Sequence, residues 1–482
     1  MNAEGTRRRR PNILLIVSDQ ERADVLGCYG SPWRNTPNLD RLAGEGVRFE
    51  ACIAPTPICS PTRASLLTGL YPHGHGILNN THEPDAIRTE LPLDIPTFPR
   101  LLNDAGYRLG YVGKWHIGRL PPEAYGFHDV VSMHPDIVAG TTEESLVVGE
   151  PALDDPVYAR YPRGRLLIAG IDPRPVEETE TRRDGDATIG LLERYAKADA
   201  PFFLRVDFEG PHHPYMPPEP FASLVDPAAI PPWPNFEDDC SPKPAAQARL
   251  LEQRGVARWS WADWQPVVAR YLEFVAFMDS EIGRILDAVD RFGLRDDTVV
   301  VHTADHGDMT GSHGGQFNKG PLMYEEVCRV PLIVRHPWIG VIGVRGGPVG
   351  SPALMPTILD LAGVPQPAGL HVESLVPDLA AAGPVAVAGA AGEPPGRAAF
   401  AEYSGEEWGL YTMRMIRTAT AKYVYSPHGM DELYDLEADP HELLNRADDP
   451  AAASLRRDLR EQLRDWMIRT RDPLALWASR VL

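Results

Sequence analysis

A chain of 482 residues exceeds what one hydrophobic core usually organises, so a large domain with a smaller partner is expected. Hydrophobic residues at 43%, with 42 glycines and 48 prolines, describe a folded, turn-rich protein and exclude a disordered or fibrous one. The formal charge of −20 argues against nucleic acid or an anionic membrane as partner, yet allows a local positive pocket that captures a small anion.

The first residues, "MNAEGTRRRRPNILLIVSD", place a basic cluster before a short apolar run that ends at Asp19. Neither a signal peptide nor a spanning helix is expected from such a pattern, and a cytoplasmic location follows as an expectation. Segments 12–19, 108–116, 201–214, 298–306 and 330–337 are apolar, β-rich runs that read as strands buried on both faces. Helical patterns over 37–45, 61–70, 97–105, 186–197 and 265–291 alternate with them, which predicts a doubly wound α/β sheet. Four of the five runs carry polar or ionisable residues at their carboxyl ends, where ligands bind in open α/β sheets, so one site is expected there.

Residues 214–243 are Pro-rich and predict an irregular loop over that site, and 379–400 is a low-complexity linker. Beyond it, 414–426 and 431–445 suggest an antiparallel hairpin and turn, and 451–470 an amphipathic helix. The expected division is a catalytic domain over 1–385 and a C-terminal α+β subdomain over 386–482.

Five cysteines, Cys28, Cys52, Cys59, Cys240 and Cys328, lack disulfide or metal spacing, and most read as small core residues. Cys59 differs, because "CSPTRASLLTG" offers Ser60 as an N-cap and Pro61 for the first turn of a helix. The thiol then sits at the positive end of a helix, where an anion is stabilised. His73, His75 and His313, each flanked by glycine, are expected to satisfy backbone groups in tight turns.

"PNILLIVSDQ", "NTPNLDRLAGEGVRF", "CSPTRASLLTG", "GKWHIG", "PHHPY", "ADHGDMTGSHG" with Lys319, and "ELYDLEADPHE" occur in this order between residues 11 and about 445. Together they resemble the sulfatase family of the alkaline-phosphatase superfamily, near its choline-sulfatase and phosphonate monoester hydrolase branch. The resemblance implies an alkaline-phosphatase-like mixed sheet and conversion of Cys59 to formylglycine by a formylglycine-generating enzyme. It implies a divalent-metal site from Asp19, Asp305, His306, residue 59 and Gln20. Lys114 and Lys319 would hold the sulfate oxygens, His116 would help deprotonate the aldehyde hydrate, Arg63 would orient residue 59, and His212 would protonate the leaving oxygen. His213, its neighbour, is the rival for that last role.

Many sulfatases carry an acidic pair where this chain has Asp19-Gln20, and commonly Asn where it has His306. Hard oxygen donors favour Ca²⁺, with Mn²⁺ or Mg²⁺ as alternatives, and one fewer negative charge with a nitrogen ligand makes Mn²⁺ more competitive. The expected reaction is hydrolysis of a small sulfate monoester. A phosphonate or phosphate ester hydrolase on the same site is the alternative, and a silent binding protein with unoxidised Cys59 a third reading. The alcohol part of the substrate and the formation of a homo-oligomer stay open.

Overall fold

The computed structural model describes residues 10–83, 86–134, 154–161, 164–381, 397–405, 411–427 and 429–481. Its strands, in chain order, are β1 Asn12–Ser18, β2 Val47–Ile53, β3 Arg108–Lys114, β4 Asp129–His134, β5 Asp154–Tyr161, β6 Gly164–Ile171, β7 Phe202–Asp207 and β8 Thr298–Ala304. They continue with β9 Arg329–Val330, β10 Leu332–Arg335, β11 Gly343–Gly350, β12 Ala399–Gly405, β13 Tyr411–Arg417, β14 Ala421–Tyr425 and β15 Glu432–Asp435. The large sheet runs β11-β2-β10-β8-β1-β7-β3-β4, with β9 paired to β2.

Its middle is parallel because helices cross between β1, β7, β8 and β3 and cover both faces. Alternate residues of β1 divide between two cores. Ile13, Leu15 and Val17 pack with Phe98, Leu102, Leu354 and Ile358 on one face. Leu14 and Ile16 pack with Leu191, Val268, Leu272 and Leu286 on the other. The period of two along a strand sends successive side chains to opposite faces, so a continuously apolar run signals a strand buried twice.

The run over 330–337 departs from the expected pattern. It splits into β9 and β10, and β10 lies antiparallel between β8 and β2, which makes the sheet mixed. Pro331 supplies no N–H at the break. The run over 201–214 is strand only to Asp207, and the run over 108–116 only to Lys114.

Helix starts also shift. The helix Glu180–Tyr195 begins ahead of the expected 186, because the Thr179 hydroxyl accepts from Arg182 N. The helix Trp261–Arg291 begins ahead of 265, where the Asp263 carboxylate accepts from both N and Oγ of Ser260.

The 214–243 segment is irregular as expected, although Tyr215 and Pro218 bridge to Ala169 and Asp172 beside β6. Most of the 379–400 linker lies outside the described residues. The smaller sheet, β12-β13-β14-β15, is antiparallel, and the helix Ala453–Arg469 covers one face through Leu459, Leu463 and Trp466. Its other face, through Ala401, Met415 and Val424, packs on Met309, Leu322, Tyr324 and Val327. The second sheet therefore braces the segment that follows the carboxyl end of β8. Among the described residues no helix is long and apolar enough to cross a membrane.

Candidate functional site

β1, β2, β3, β7 and β8 share one direction, so their carboxyl ends reach one edge of the sheet. Asp19 and Gln20 follow β1, Asp305 and His306 follow β8, Asp207 ends β7 and Lys114 ends β3. Backbone bonds from Asp305 N to Ser18 O (3.1 Å) and from Asp19 N to Gly210 O (3.0 Å) hold these turns together. At Gly113, φ is +90° and a Cβ would meet the Asp207 carbonyl oxygen at 2.1 Å. Only glycine lets β3 approach β7 closely there and then release Lys114 into the site.

The helix Cys59–Thr68 is buried along its whole length, and Cys59 is its first residue. The expected Ser60 cap is not found. Ile58 occupies the N-cap with extended backbone, and Ser60 N donates instead to Oδ1 of Asn80, 3.1 Å away. A side chain from a neighbouring segment thus satisfies one of the free N–H groups at this end. Arg63 lies one turn further on.

Arg63 joins three buried carboxylates. Its Nε donates to Asp305 Oδ2 (3.0 Å), one terminal nitrogen to Asp207 Oδ2 (2.7 Å) and the other to Asp19 Oδ2 (3.0 Å). Burial would depress the guanidinium, but Asp305, Asp19 and Asp207 keep it well above its ordinary value. Burial would likewise raise Asp19, yet Lys114, His212, Arg63 and Lys319 hold it well below the usual carboxylate range. Lys114 Nζ lies 2.7 Å from Asp19 Oδ2.

Cys59 Sγ is the point on which these groups converge. It lies 3.2 Å from Lys319 Nζ, 3.2 Å from His306 Nε2 and 3.8 Å from Asp19 Oδ1. Burial and Asp19 push the thiol up, but Lys319, His306 and Lys114 outweigh them and lower it, which favours negative charge at this atom. His306 Nδ1 donates to the Gly307 carbonyl (2.9 Å), so the ring turns Nε2 toward the sulfur.

Asp19, Cys59, Asp305 and His306 each offer one ligand atom, all within 4.8 Å of one another. Two buried carboxylates and an imidazole with its tautomer fixed suit a divalent cation, with the sulfur marking where an oxygen of a converted residue 59 would sit. Gln20 stands beside them, its Oε1 accepting from Lys319 Nζ at 2.9 Å.

Lys319 also bonds His212, with Nζ to Nε2 at 2.9 Å, while His212 Nδ1 donates to the His213 carbonyl at 2.6 Å. Burial, with Lys319, Lys114 and His213, keeps His212 well below its ordinary value. His213 stacks on His212 with ring centroids 4.4 Å apart, and its Nδ1 lies 3.5 Å from Gln20 Nε2.

His116 departs from the expectation that it continues the β3 strand, for its φ is +53° and the chain turns after Lys114. Its Nε2 lies 2.8 Å from His82 Nδ1, and burial with Lys114 and His82 holds it well below its ordinary value, so the ring is neutral. Of the three glycine-flanked histidines, His75 serves its turn as expected, accepting from Ile77 N. His73 instead pairs with Glu402 of β12, and His313 with Asp238 and Glu326.

The sequence reading missed Asp207, Asp308, Asn80 and His82. Asp308 lies inside the quoted motif "ADHGDMTGSHG" and Asp207 inside the apolar run over 201–214, so their place there is the one signal that could have raised them. Asn80 and His82 carry no such signal.

Residues 11–364 match the family described as Sulfatase, and residues 311–469 match N-sulphoglucosamine sulphohydrolase, C-terminal. The chain is 30% identical over 489 residues to the uncharacterized sulfatase YidJ of Escherichia coli (strain K12), covering 96% of this chain and 88% of that one. It is similar to the phosphonate monoester hydrolase of Agrobacterium radiobacter, with a TM-score of 0.77, 25% identity and 96% of each chain covered. It is equally similar to a protein solved with its substrate D-glucosamine-2-N,6-O-disulfate, with a TM-score of 0.76, 25% identity, and 96% of this chain and 99% of that chain covered.

Proposed function

Because the chain belongs to the sulfatase family, we propose that it hydrolyses a sulfate monoester to an alcohol and inorganic sulfate, using formylglycine at position 59 and a divalent cation beside it. The observation that carries this reading is the convergence on one buried atom, Cys59 Sγ, of Lys319 and His306 at 3.2 Å each.

As a hydrated aldehyde, residue 59 would supply two hydroxyls: one bonds to sulfur as the alcohol leaves, and loss of the other's proton restores the aldehyde and frees sulfate. Asp19, Asp305, His306 and residue 59 would hold the cation, with the Gln20 oxygen next to them. When bound, the cation supplies Lewis-acid polarisation of the sulfate oxygens and favours the deprotonated hydroxyl.

The protein's own groups divide the remaining work. Lys114 and Lys319 grip the sulfate oxygens, and Arg63 holds Asp19 and Asp305 in place with its own charge neutralised. His116, neutral and buried, accepts the hydroxyl proton. His212 gives a proton to the departing oxygen. Lys319 already points an N–H at His212 Nε2, and an anionic substrate between them favours the protonated ring.

Two expected outcomes test these roles. Chelation abolishes turnover, and separate readdition of Ca²⁺, Mn²⁺ and Mg²⁺ ranks the metals; unchanged turnover in fully depleted protein overturns the cation site. His212→Ala slows alkyl sulfates by about 10²- to 10⁴-fold but spares an activated aryl sulfate, whose phenolate leaves unaided. Equal slowing of both substrate types moves the acid role to His213.

The likeness to a phosphonate monoester hydrolase, together with Gln20 and His306 in the cation set, favours a second reading, a phosphonate or phosphate ester hydrolase on the same site. Sulfur and phosphorus esters present similar geometry to one pocket. The ratio of kcat/KM on an aryl sulfate to that on an aryl phosphonate decides between the two.

A further inference from the structure

Gln20 departs from the acidic residue common at its position, and an amide raises a problem that a carboxylate does not. Its two ends differ chemically, and rotation about the terminal torsion is soft, so the surroundings must choose which end faces the site. Gln20 Nε2 meets the Asp308 carboxylate, Asn318 Oδ1 at 3.1 Å and His213 Nδ1 at 3.5 Å, and Gln20 Oε1 receives Lys319 Nζ at 2.9 Å. A flipped amide would set oxygen against a buried carboxylate and N–H against an ammonium.

Asp308 is itself fully buried and fixed. One oxygen accepts from Thr310 N (2.7 Å) and Thr310 Oγ1 (2.9 Å), and the other from Tyr215 Oη (2.6 Å) as well as from Gln20. The backbone at Gln20 is pinned too, by its N–H to Asp305 Oδ1 (3.0 Å) and by Tyr271 Oη donating to its carbonyl (2.9 Å). These bonds keep the residue in the left-handed region at φ +66°. With backbone and Asp308 both held, the amide has one favourable orientation.

We propose that Asp308 is a positioning residue that fixes the Gln20 carboxamide with its oxygen turned toward Lys319 and the cation site, and that it acts through Gln20 alone. Asp308 also accounts for an amide at position 20: a carboxylate there would face the Asp308 carboxylate with no cation between them. The inference rests on the reading of Asp19, Asp305 and His306 as cation ligands.

The test is calorimetric titration of Mn²⁺, and separately Ca²⁺, into the full-length Cys59 protein, its Asp308→Ala and Gln20→Ala variants, and the double variant. Asp308→Ala is expected to weaken binding by roughly 10- to 100-fold, the usual scale for a residue behind a ligand, and to add nothing in the Gln20→Ala background. Wild-type affinity in Asp308→Ala, or losses that multiply in the double variant, would overturn the proposal. Absence of binding by the wild-type protein, both with Cys59 and with residue 59 converted, would overturn the cation reading itself, and Asp308 with it. Should Asp308→Ala fail to fold, Asp308→Asn preserves the shape and serves the same cycle, again with weaker binding expected only where Gln20 is present.

Discussion

Cys59→Ala is expected to abolish sulfate ester turnover, by on the order of 10⁴-fold or more in kcat, while leaving the fold intact. The effect is large because the lost atom is the one that Lys319 and His306 approach at 3.2 Å, and no other nucleophile lies at that point among the groups around it. The fold survives because the helix end is held by Asn80 through Ser60 N and by Ile58 O through Thr62 N, neither of which uses the sulfur. Cys59→Ser separates the two hydroxyl roles. One hydroxyl can bond to sulfur and release the alcohol, but it cannot expel sulfate by elimination. Stopped-flow measurement with an aryl sulfate should therefore show a burst of phenolate no larger than the enzyme concentration, followed by a stall. Steady turnover at the wild-type rate in either variant would remove residue 59 from the mechanism.

Arg63→Ala is expected to cost about 3–5 kcal/mol of stability, a large share of the roughly 5–15 kcal/mol that holds a folded protein together. The guanidinium is fully buried and bridges Asp19, Asp207 and Asp305. Its removal leaves one cation fewer among three buried carboxylates at the ends of three strands. Arg205 still pairs with Asp207, and Lys114 with Asp19. Asp305 keeps its N–H donors, Gln20 N and His306 N, and the His306 ring, whose Nε2 lies 3.7 Å from Oδ1. The deficit therefore falls mainly on Asp305. Arg63→Lys restores charge but not the fork that reaches three partners at once, so an intermediate loss is expected. Denaturant midpoints measure the series, and a midpoint in Arg63→Ala equal to that of the wild type would show that the triple pairing contributes nothing. Cation affinity should fall alongside stability, because Asp19 and Asp305 lose the group that orients them.

Features that depend on near neighbours along the chain are legible in the residues alone. The unbroken apolar run of β1 announces a strand buried on both faces, because a doubly covered strand turns most of its side chains into apolar cores. Asp19, Lys114 and Asp305 are legible as site residues from their place just at or after such runs, since parallel strands bring their carboxyl ends to one edge. The "CSPTR" and "ADHGD" motifs carry their spacing within one turn of chain. The rest depends on partners from 20 to about 300 residues away along the chain, which only folding brings together. Ser60 N donates to Asn80 while Ile58 takes the cap position, His116 turns from the strand toward His82, and β10 enters the sheet against the direction of its neighbours. The direction in which Gln20 presents its oxygen is set by Asp308, Asn318 and Lys319, about three hundred residues along the chain. A side-chain amide has no local preference between its two ends. The choice is made by the charges packed around it, and those are assembled only when the sheet has closed.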